Sequence, residues 1–173
     1  MNFVRPEAAE FAPFYAGYVS RVPEADVLAV LEKQSDEILS LARSVPAGRE
    51  SFRYGEGKWS IREVLGHLTD AERVFGYRAF CFSRGEQAPL PSFDENQYVA
   101  VAGADRIPLA ELAAEFASTR ASNLAFLRRL SGEEAARVGT ASGKPISVRA
   151  LAYIMAGHPR HHVAVLRERY GVA

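Results

Sequence analysis

The chain has 173 residues, of which 48% are hydrophobic, so we expect residues 1–173 to fold as a single domain with its own core. Its 21 basic residues balance 21 acidic ones, which argues against a nucleic acid as partner. No apolar run reaches the length of a signal peptide or a membrane span, so we expect no contact with a membrane. The single cysteine cannot form an internal disulfide, which favours the cytoplasm.

Four segments carry apolar residues at helical spacing and are bounded by capping residues, glycine or proline. In chain order, the predicted helices span residues 23–42, 60–84, 108–130 and 147–170. The second opens with a capping-box pair, Ser60 and Glu63, and the fourth ends before Gly171. No stretch alternates with period two, so we expect no sheet. These features predict an all-α protein with the architecture of a four-helix bundle.

Two connecting segments are informative as well. The segment before the first helix is rich in aromatic residues (Phe11, Phe14, Tyr15 and Tyr18), which predicts that it packs on the bundle. The connection over residues 85–107 is long for a link between two helices, and loops of this length are often functional or disordered.

Three of the four histidines are predicted to face the interior. Each helical residue turns the chain by about 100°. On the fourth helix, His158 and His162 lie one turn apart on the apolar face, whereas His161 lies at its edge. On the second helix, His67 also lies on the apolar face. The bundle is therefore expected to enclose His67, His158 and His162.

A divalent metal explains three buried imidazoles better than packing does. A single inward histidine is usually a hydrogen-bonded core residue, and one i, i+4 pair can arise by coincidence. Each buried imidazole must satisfy two ring nitrogens, however, and a metal takes one nitrogen from each of the three. Three histidine ligands with an open position are typical of catalytic zinc.

Further polar residues are candidates for supporting roles. Glu63 and Asp70 lie one turn on either side of His67, where they could orient its second nitrogen or could be solvated surface acids. Polar side chains at Gln34, Thr119 and Asn123 interrupt apolar stripes of the first and third helices. They could line a cavity or form hydrogen bonds in the core.

Several short motifs together resemble one known family. Residues 58–68 read KWSIREVLGHL, residues 157–162 read GHPRHH, and residues 165–171 read VLRERYG. In this order and spacing, with FDEN at residues 93–96 and the stretch over residues 15–23, they resemble the DinB-like (YfiT-like) metalloenzyme family. The likeness spans most of the chain.

The resemblance implies a four-helix bundle in up-down-down-up order with long crossover connections. It also implies a divalent ion, zinc or nickel, at the residues matching His67, His158 and His162, and a homodimer. Members of the family include S-transferases and isomerases that use glutathione, mycothiol or bacillithiol, and its name refers to DNA-damage induction, a stress response. The sequence departs from the family at Pro159. A proline inside a helix removes a hydrogen bond, and a kink there would alter the geometry of His158 and His162, so the effect of Pro159 on the site is left open by the sequence.

These observations lead to one functional hypothesis and two alternatives. The leading hypothesis is a divalent-metal-dependent transferase that uses a low-molecular-weight thiol, activated at the three-histidine site, to attack a small electrophile. The alternatives are a metal-dependent hydrolase using metal-bound hydroxide and a metal-stabilised binding protein without turnover.

Overall fold

Four long helices, joined by shorter elements, form the structure. The computed structural model describes residues 3–173. Its elements in chain order are α1 (Ala16–Ser20), α2 (Val27–Ser44), α3 (Ile61–Ser83), α4 (Glu95–Ala102), α5 (Leu109–Leu127), α6 (Gly132–Ala136), β1 (Val138–Ala141), β2 (Lys144–Ser147) and α7 (Val148–Tyr170). Single turns of 3-10 helix occupy Ala8–Glu10, Pro13–Tyr15 and Ala104–Arg106. Within the described residues, no helix has both the length and the apolar character needed to cross a bilayer.

The long helices α3 and α5 lie side by side and run in the same direction. Arg73 on α3 pairs with Glu115 on α5, and further along both helices the rings of Phe80 and Phe126 approach to 5.8 Å between centroids. Because both positions advance together along the two helices, α3 and α5 are parallel.

The remaining pairs establish the order of the bundle. α7 runs opposite to α3, because the hydroxyl of Tyr170 at its end donates a 2.7 Å hydrogen bond to the carbonyl of Trp59, just before α3 begins. α2 is parallel to α7, since Ser44 at the end of α2 and Arg167 in the last turn of α7 line one end of the same cleft. The bundle is therefore up-down-down-up, as predicted.

Local signals account for most helix boundaries. The hydroxyl of Ser60 accepts the amide of Glu63, whose carboxylate accepts the Ser60 amide, so the predicted capping box opens α3. Gly171, with a φ of 67°, ends α7 as predicted. The predicted start of the first helix at residue 23 was wrong. The carboxylate of Asp26 accepts the amide of Ala29 at 3.0 Å and begins α2 at Val27.

The expectation of no sheet was also wrong, because β1 and β2 form an antiparallel hairpin. Each strand has four residues, too few to establish a period-two pattern in the sequence. The two turn residues, Ser142 and Gly143, have φ values of 53° and 71°, as a two-residue hairpin turn of type I′ requires. Leu90 bridges to this hairpin by accepting the amide of Ser142 and donating to the carbonyl of Thr140.

The long connection over residues 85–107 and the aromatic segment before α2 both pack on the bundle. In the long connection, the carboxylate of Asp94 caps α4 by accepting two backbone amides. In the aromatic segment before α2, Phe11 and Tyr15 are buried as predicted, whereas Phe14 is exposed. Both segments approach the same region of the bundle, because Tyr15 and Phe93 line one cavity.

A layer of polar side chains divides the core of the bundle into two apolar clusters. One cluster contains the start of α2, the end of α3, the end of α5 and the start of α7. The other contains the opposite ends of the same helices. Between the clusters lie five buried polar residues, Gln34, His67, Glu72, Arg120 and His158.

Arg120 is the centre of this layer and has no exposed surface. Its Nε and Nη2 bond the two oxygens of Glu72 at 2.8 and 2.9 Å, a bidentate ion pair between α5 and α3. Nη1 donates to the side-chain oxygen of Gln34 and the carbonyl of Leu31 on α2, and Nη2 also donates to the carbonyl of Met155 on α7. All five guanidinium hydrogens are thus used, and they reach the other three long helices.

We predict that Glu72→Gln destabilises the protein by about 3–5 kcal/mol. The substitution keeps the shape of the side chain but leaves the charge of Arg120 buried and uncompensated. Unfolding in urea measures the change. Glu115→Gln removes the exposed ion pair with Arg73 and is the control, with an expected cost below about 1 kcal/mol. Equal costs for the two variants would contradict the central role of the buried pair.

Candidate metal centre

The three predicted histidines converge in the polar layer. His67 comes from α3, and His158 and His162 come from adjacent turns of the antiparallel helix α7. The Nε2 atom of His158 lies 3.0 Å from that of His67 and 3.1 Å from that of His162. His67 and His158 are each 5% exposed, and His162 lies slightly nearer the surface.

Hydrogen bonds alone cannot satisfy this cluster. A neutral imidazole Nε2 carries either one hydrogen or one lone pair, so the central Nε2 of His158 can form a linear bond with only one neighbour. Two nitrogens that are each about 2.1 Å from one metal ion, at an angle between 90° and a tetrahedral one, stand about 3.0–3.4 Å apart. The observed separations therefore fit a shared divalent ion, and the three side chains form a possible metal site.

The electrostatics of the site favour neutral imidazoles. Burial lowers the pKa of His67 to about 4. Burial and then repulsion from neighbouring imidazoles hold the pKa values of His158 and His162 well below 6.5. At neutral pH all three rings are therefore uncharged, which is the form that binds a metal.

Pro159 lies inside α7 without ending the helix. α7 continues from Val148 through Pro159 to Tyr170. Proline has no amide hydrogen, so the carbonyl four residues earlier, that of Met155, has no helical partner from it. Arg120 donates to this carbonyl at 2.9 Å, and Gln34 donates to the next one, that of Ala156, at 2.6 Å. Arg120 of the polar layer therefore supplies the one helical bond that the proline removes, and Gln34 adds a bond at the next carbonyl.

The three histidines lie at one side of a cavity of about 390 Å³. Aromatic rings form much of its wall: Tyr15, Tyr18, Trp59, Phe75 and Phe93. The ring of Trp59 lies 4.7 Å from that of His67 and is stacked at 6.3 Å on that of His162.

Close backbone packing places another ring against the site. The Cβ of any residue replacing Gly157 would lie 2.0 Å from the carbonyl oxygen of Tyr18, so only glycine lets α1 approach α7 this closely. As a result, the ring of Tyr18 stands edge-on to His158 at 5.4 Å.

Comparison with known proteins agrees with this architecture. The sequence model of the DinB superfamily matches residues 30–166 of this chain. The chain belongs to the DinB superfamily. A solved structure, described as "YfiT from Bacillus subtilis is a probable metal-dependent hydrolase with an unusual four-helix bundle topology", matches with a TM-score of 0.75 and 18% identity, over 99% of this chain and 95% of that one. At this identity the likeness shows the fold. None of the curated proteins matches this chain.

The acids predicted beside His67 are directed elsewhere. Glu63 closes the capping box with Ser60 and pairs with Arg53. Asp70 lies 3.6 Å from Arg73. The Nδ1 of His67 is buried and has no hydrogen-bond partner among residues 3–173. Of the two alternatives for these acids, orientation of the His67 nitrogen is therefore not what the structure supports, and both acids form local ion pairs.

The predicted cavity candidates form hydrogen bonds within the bundle. Gln34 belongs to the Arg120 network, and the side-chain amide of Asn123 donates to the carboxylate of Glu72 at 2.9 Å. Thr119 donates to the carbonyl of Glu115 in its own helix. Neither these three residues nor the two acids line the cavity beside the histidines. Hydrogen bonding in the bundle, the second of the two readings of the sequence, is therefore what the structure supports.

Sequence reasoning missed most of the cavity wall. The missed residues are Phe14, Tyr15, Tyr18, Trp59, Phe75, Arg78, Ser92, Phe93, Glu95 and Ser142. One of them had a usable signal. Trp59 directly precedes the capping box of α3, a position where an apolar side chain often packs onto the first turn. The others come from segments whose approach to the site depends on tertiary packing.

We predict that the metal-free protein loses stability as the pH falls from about 6.5. Unfolded histidine titrates near pH 6.5, whereas the folded pKa of His67 is about 4 and those of His158 and His162 are also low. Between these values the unfolded chain binds more protons, so acidification favours unfolding by up to about 1.4 kcal/mol per histidine per pH unit.

Urea unfolding of the metal-free protein at pH 7.5, 6.5 and 5.5 measures this effect. The His67→Gln variant removes one of the titrating groups and should show a shallower slope. An unchanged slope in that variant would contradict the assignment of the pH dependence to the cluster.

Proposed function

We propose that this protein is a divalent-metal-dependent enzyme that uses a small thiol as its nucleophile. The observation that supports the proposal is the convergence of three neutral Nε2 atoms beside a cavity large enough for small molecules. The ligands proposed for the ion are His67, His158 and His162, and zinc or nickel is the expected metal. Three protein ligands leave a position open, which is more useful in catalysis than in a structural site.

A divalent ion held by neutral imidazoles keeps its full charge, so it lowers the pKa of a bound thiol or water molecule and supplies a nucleophile near neutral pH. The protein's own residues would do the rest. The aromatic wall excludes water and offers apolar surface to the carbon skeleton of a substrate. Burial raises the pKa values of Tyr15 and Tyr18, so both phenols keep their protons at neutral pH and can donate hydrogen bonds.

The lack of a buried carboxylate among the described residues that line the cavity favours a thiol over water as nucleophile. Among the described residues that line the cavity, Glu95 is the one carboxylate, and it is exposed. A metal deprotonates a bound thiol outright, without a nearby base, whereas attack by water is commonly assisted by a buried general base. This difference makes thiol transfer our first candidate.

Hydrolysis is the second candidate. It is supported by the printed description of YfiT from Bacillus subtilis as a probable metal-dependent hydrolase. Both candidates need the same three histidines and the same open position. They differ in whether the reaction requires a thiol.

We predict about one divalent ion per chain, measured by elemental analysis of the purified protein. Replacing His67, His158 or His162 with alanine should weaken binding by more than about 100-fold, because loss of even an outer hydrogen bond to a ligand costs 10- to 100-fold. The control is His161→Ala. This ring lies beside Tyr18 and outside the cluster, so its removal should leave the metal content unchanged. Loss of metal in this control alone would refute the proposed ligand set.

Cobalt substitution tests the nucleophile. A thiol added to the cobalt protein should produce a sulfur-to-metal charge-transfer band that is absent from the His162→Ala protein. If esters or amides are instead hydrolysed without any thiol and no thiol produces the band, the second candidate is correct.

Circular dichroism of the metal-free protein separates both candidates from a metal-stabilised binding protein. The apolar clusters on the two sides of the polar layer should keep the chain helical without the ion. A metal-free chain that unfolds, together with no response to any thiol, would mean that the metal is structural and the enzyme proposal is wrong.

A further inference from the structure

A second buried arginine, Arg78, has no acidic partner in the part of the chain that the structure describes. Arg78 is 2% exposed and Arg120 is fully buried. Arg120 is neutralised by Glu72, whereas within residues 3–173 no carboxylate forms a salt bridge with Arg78. A buried charge without a counter-ion is costly, and buried charges in proteins are normally paired. Something outside the described chain is therefore expected to complete the site.

Neutral oxygens hold the guanidinium of Arg78 in place. Its Nη2 donates to the carbonyl of Pro91 at 2.7 Å and to the hydroxyl of Ser142 at 3.1 Å. The phenol of Tyr15 is a third neutral neighbour. These contacts fix the side chain without cancelling its charge, so the cation remains available to a ligand.

The contact with Ser142 depends on a strained turn. Ser142 is the one residue other than glycine with a positive φ among the described residues, and it lies in the hairpin turn between β1 and β2. Such a conformation costs a serine on the order of 1 kcal/mol and is common at functional sites. Leu90 bonds to both Thr140 and Ser142, so the hairpin and the loop carrying Pro91 are held together around Arg78.

Arg78 faces the same cavity as the three histidines. Arg78 lies eleven residues after His67 on α3. This spacing brings the side chain to within about 20° of the same face of the helix and about 16 Å further along its axis. Helical side chains lean toward the amino terminus of their helix, and on α3 this is the side on which His67 lies. Arg78, Ser142 and the three histidines all line the cavity of about 390 Å³.

We infer that Arg78 and Ser142 bind a carboxylate of the substrate whose reacting group lies at the three histidines. The inference deepens the proposed function and rests on it only for the reacting end of the molecule. One guanidinium matches the single charge of a carboxylate, and the bonds to Pro91 and Ser142 engage only its Nη2. Nη1 and the hydroxyl of Ser142, which accepts from Arg78, can therefore each donate to a carboxylate oxygen. A phosphate ester carries nearly two charges and would call for a second cation, which the described cavity wall lacks. The substrate class is thus an elongated small molecule with a carboxylate at the end distant from the metal.

Mercaptoalkanoates of increasing chain length test this inference directly. Each is compared with the mercaptoalcohol of the same length, and affinity is read from the charge-transfer band of the cobalt protein. At the length that spans the cavity, the carboxylate should bind at least about tenfold more tightly than the alcohol, as expected for a charged hydrogen bond. No gain at any length in the unmodified protein would overturn the inference.

Variants identify the residues that cause the tighter binding of the carboxylate. Arg78→Gln should abolish it, whereas Arg73→Gln, an exposed arginine on the same helix, should preserve it. Ser142→Gly removes the hydroxyl and relieves the positive φ, so it should lower the gain several-fold without lowering the melting temperature. This second variant keeps the test valid if Arg78→Gln fails to fold. A full gain in both Arg78→Gln and Ser142→Gly would place the carboxylate elsewhere.

Fluorescence separates this inference from the proposed function. Trp59 is the single tryptophan of the chain and lines the cavity, so it reports occupancy in the metal-free protein without any thiol. Hexanoate should change its emission at concentrations at least about tenfold lower than hexanol does, in an Arg78-dependent way. If no thiol ever produces the cobalt band, the proposed nucleophile fails while this response still supports the subsite. A cobalt band without any preference for carboxylates refutes the subsite alone.

The same assay identifies which reactant carries the carboxylate. If hexanoate binds together with mercaptoethanol, the carboxylate belongs to the electrophile. If mercaptoalkanoates of the optimal length displace hexanoate, the thiol can carry it. Both results support a carboxylate subsite at Arg78. The first assigns the bound carboxylate to the electrophile, and the second assigns it to the thiol.

Discussion

The structure depends on the buried pair between Arg120 and Glu72. Arg120 uses all five of its hydrogens, and its acceptors lie on the three other long helices. Apolar packing on both sides of this layer is non-directional, so it would tolerate sliding of one helix past another. The guanidinium requires one register, because its planar fork bonds two oxygens of Glu72 only in a fixed geometry. The pair therefore fixes the relative heights of the four helices.

The three-histidine cluster inherits its geometry from that register. His67 lies on α3, which carries Glu72, and His158 and His162 lie on α7, whose Met155 carbonyl is bonded by Arg120. A shift of one helix by a single residue would move a ligand by about 1.5 Å and break the convergence of the three nitrogens. The same arginine bonds the carbonyl that Pro159 leaves without a helical partner. A proline between His158 and His162 is tolerated because a side chain from another helix donates the hydrogen bond that a backbone amide would otherwise supply.

Local patterns predicted the helices and the inward direction of three histidines, and tertiary contacts decided the rest. Helical periodicity was sufficient to place His67, His158 and His162 on inward faces, because a regular helix fixes the direction of each side chain. The same reasoning located Gln34 and Asn123 on inward faces but could not say which partners they meet. Their role as members of the Arg120 network depends on three other helices, and no spacing within one helix contains that information.

The features that the sequence did not predict follow the same division between local patterns and tertiary contacts. The hairpin carrying Ser142 is too short to show alternation, and its approach to Arg78 is specified by contacts with the loop around Leu90. Glu63 and Asp70 have the correct spacing from His67, yet nearby arginines attract both of them. Periodicity gives the face on which a side chain lies, whereas charge partners from other segments decide where its end group goes.

The distance along the chain between the three histidines has a consequence for how the proposed ion would enter. His67 and His158 are separated by ninety-one positions, so their Nε2 atoms come together only when α7 docks against α3. In the folded protein these atoms face a cavity whose wall includes Tyr18 and Trp59. The aromatic residues that would surround a substrate would therefore also govern the rate of metal entry.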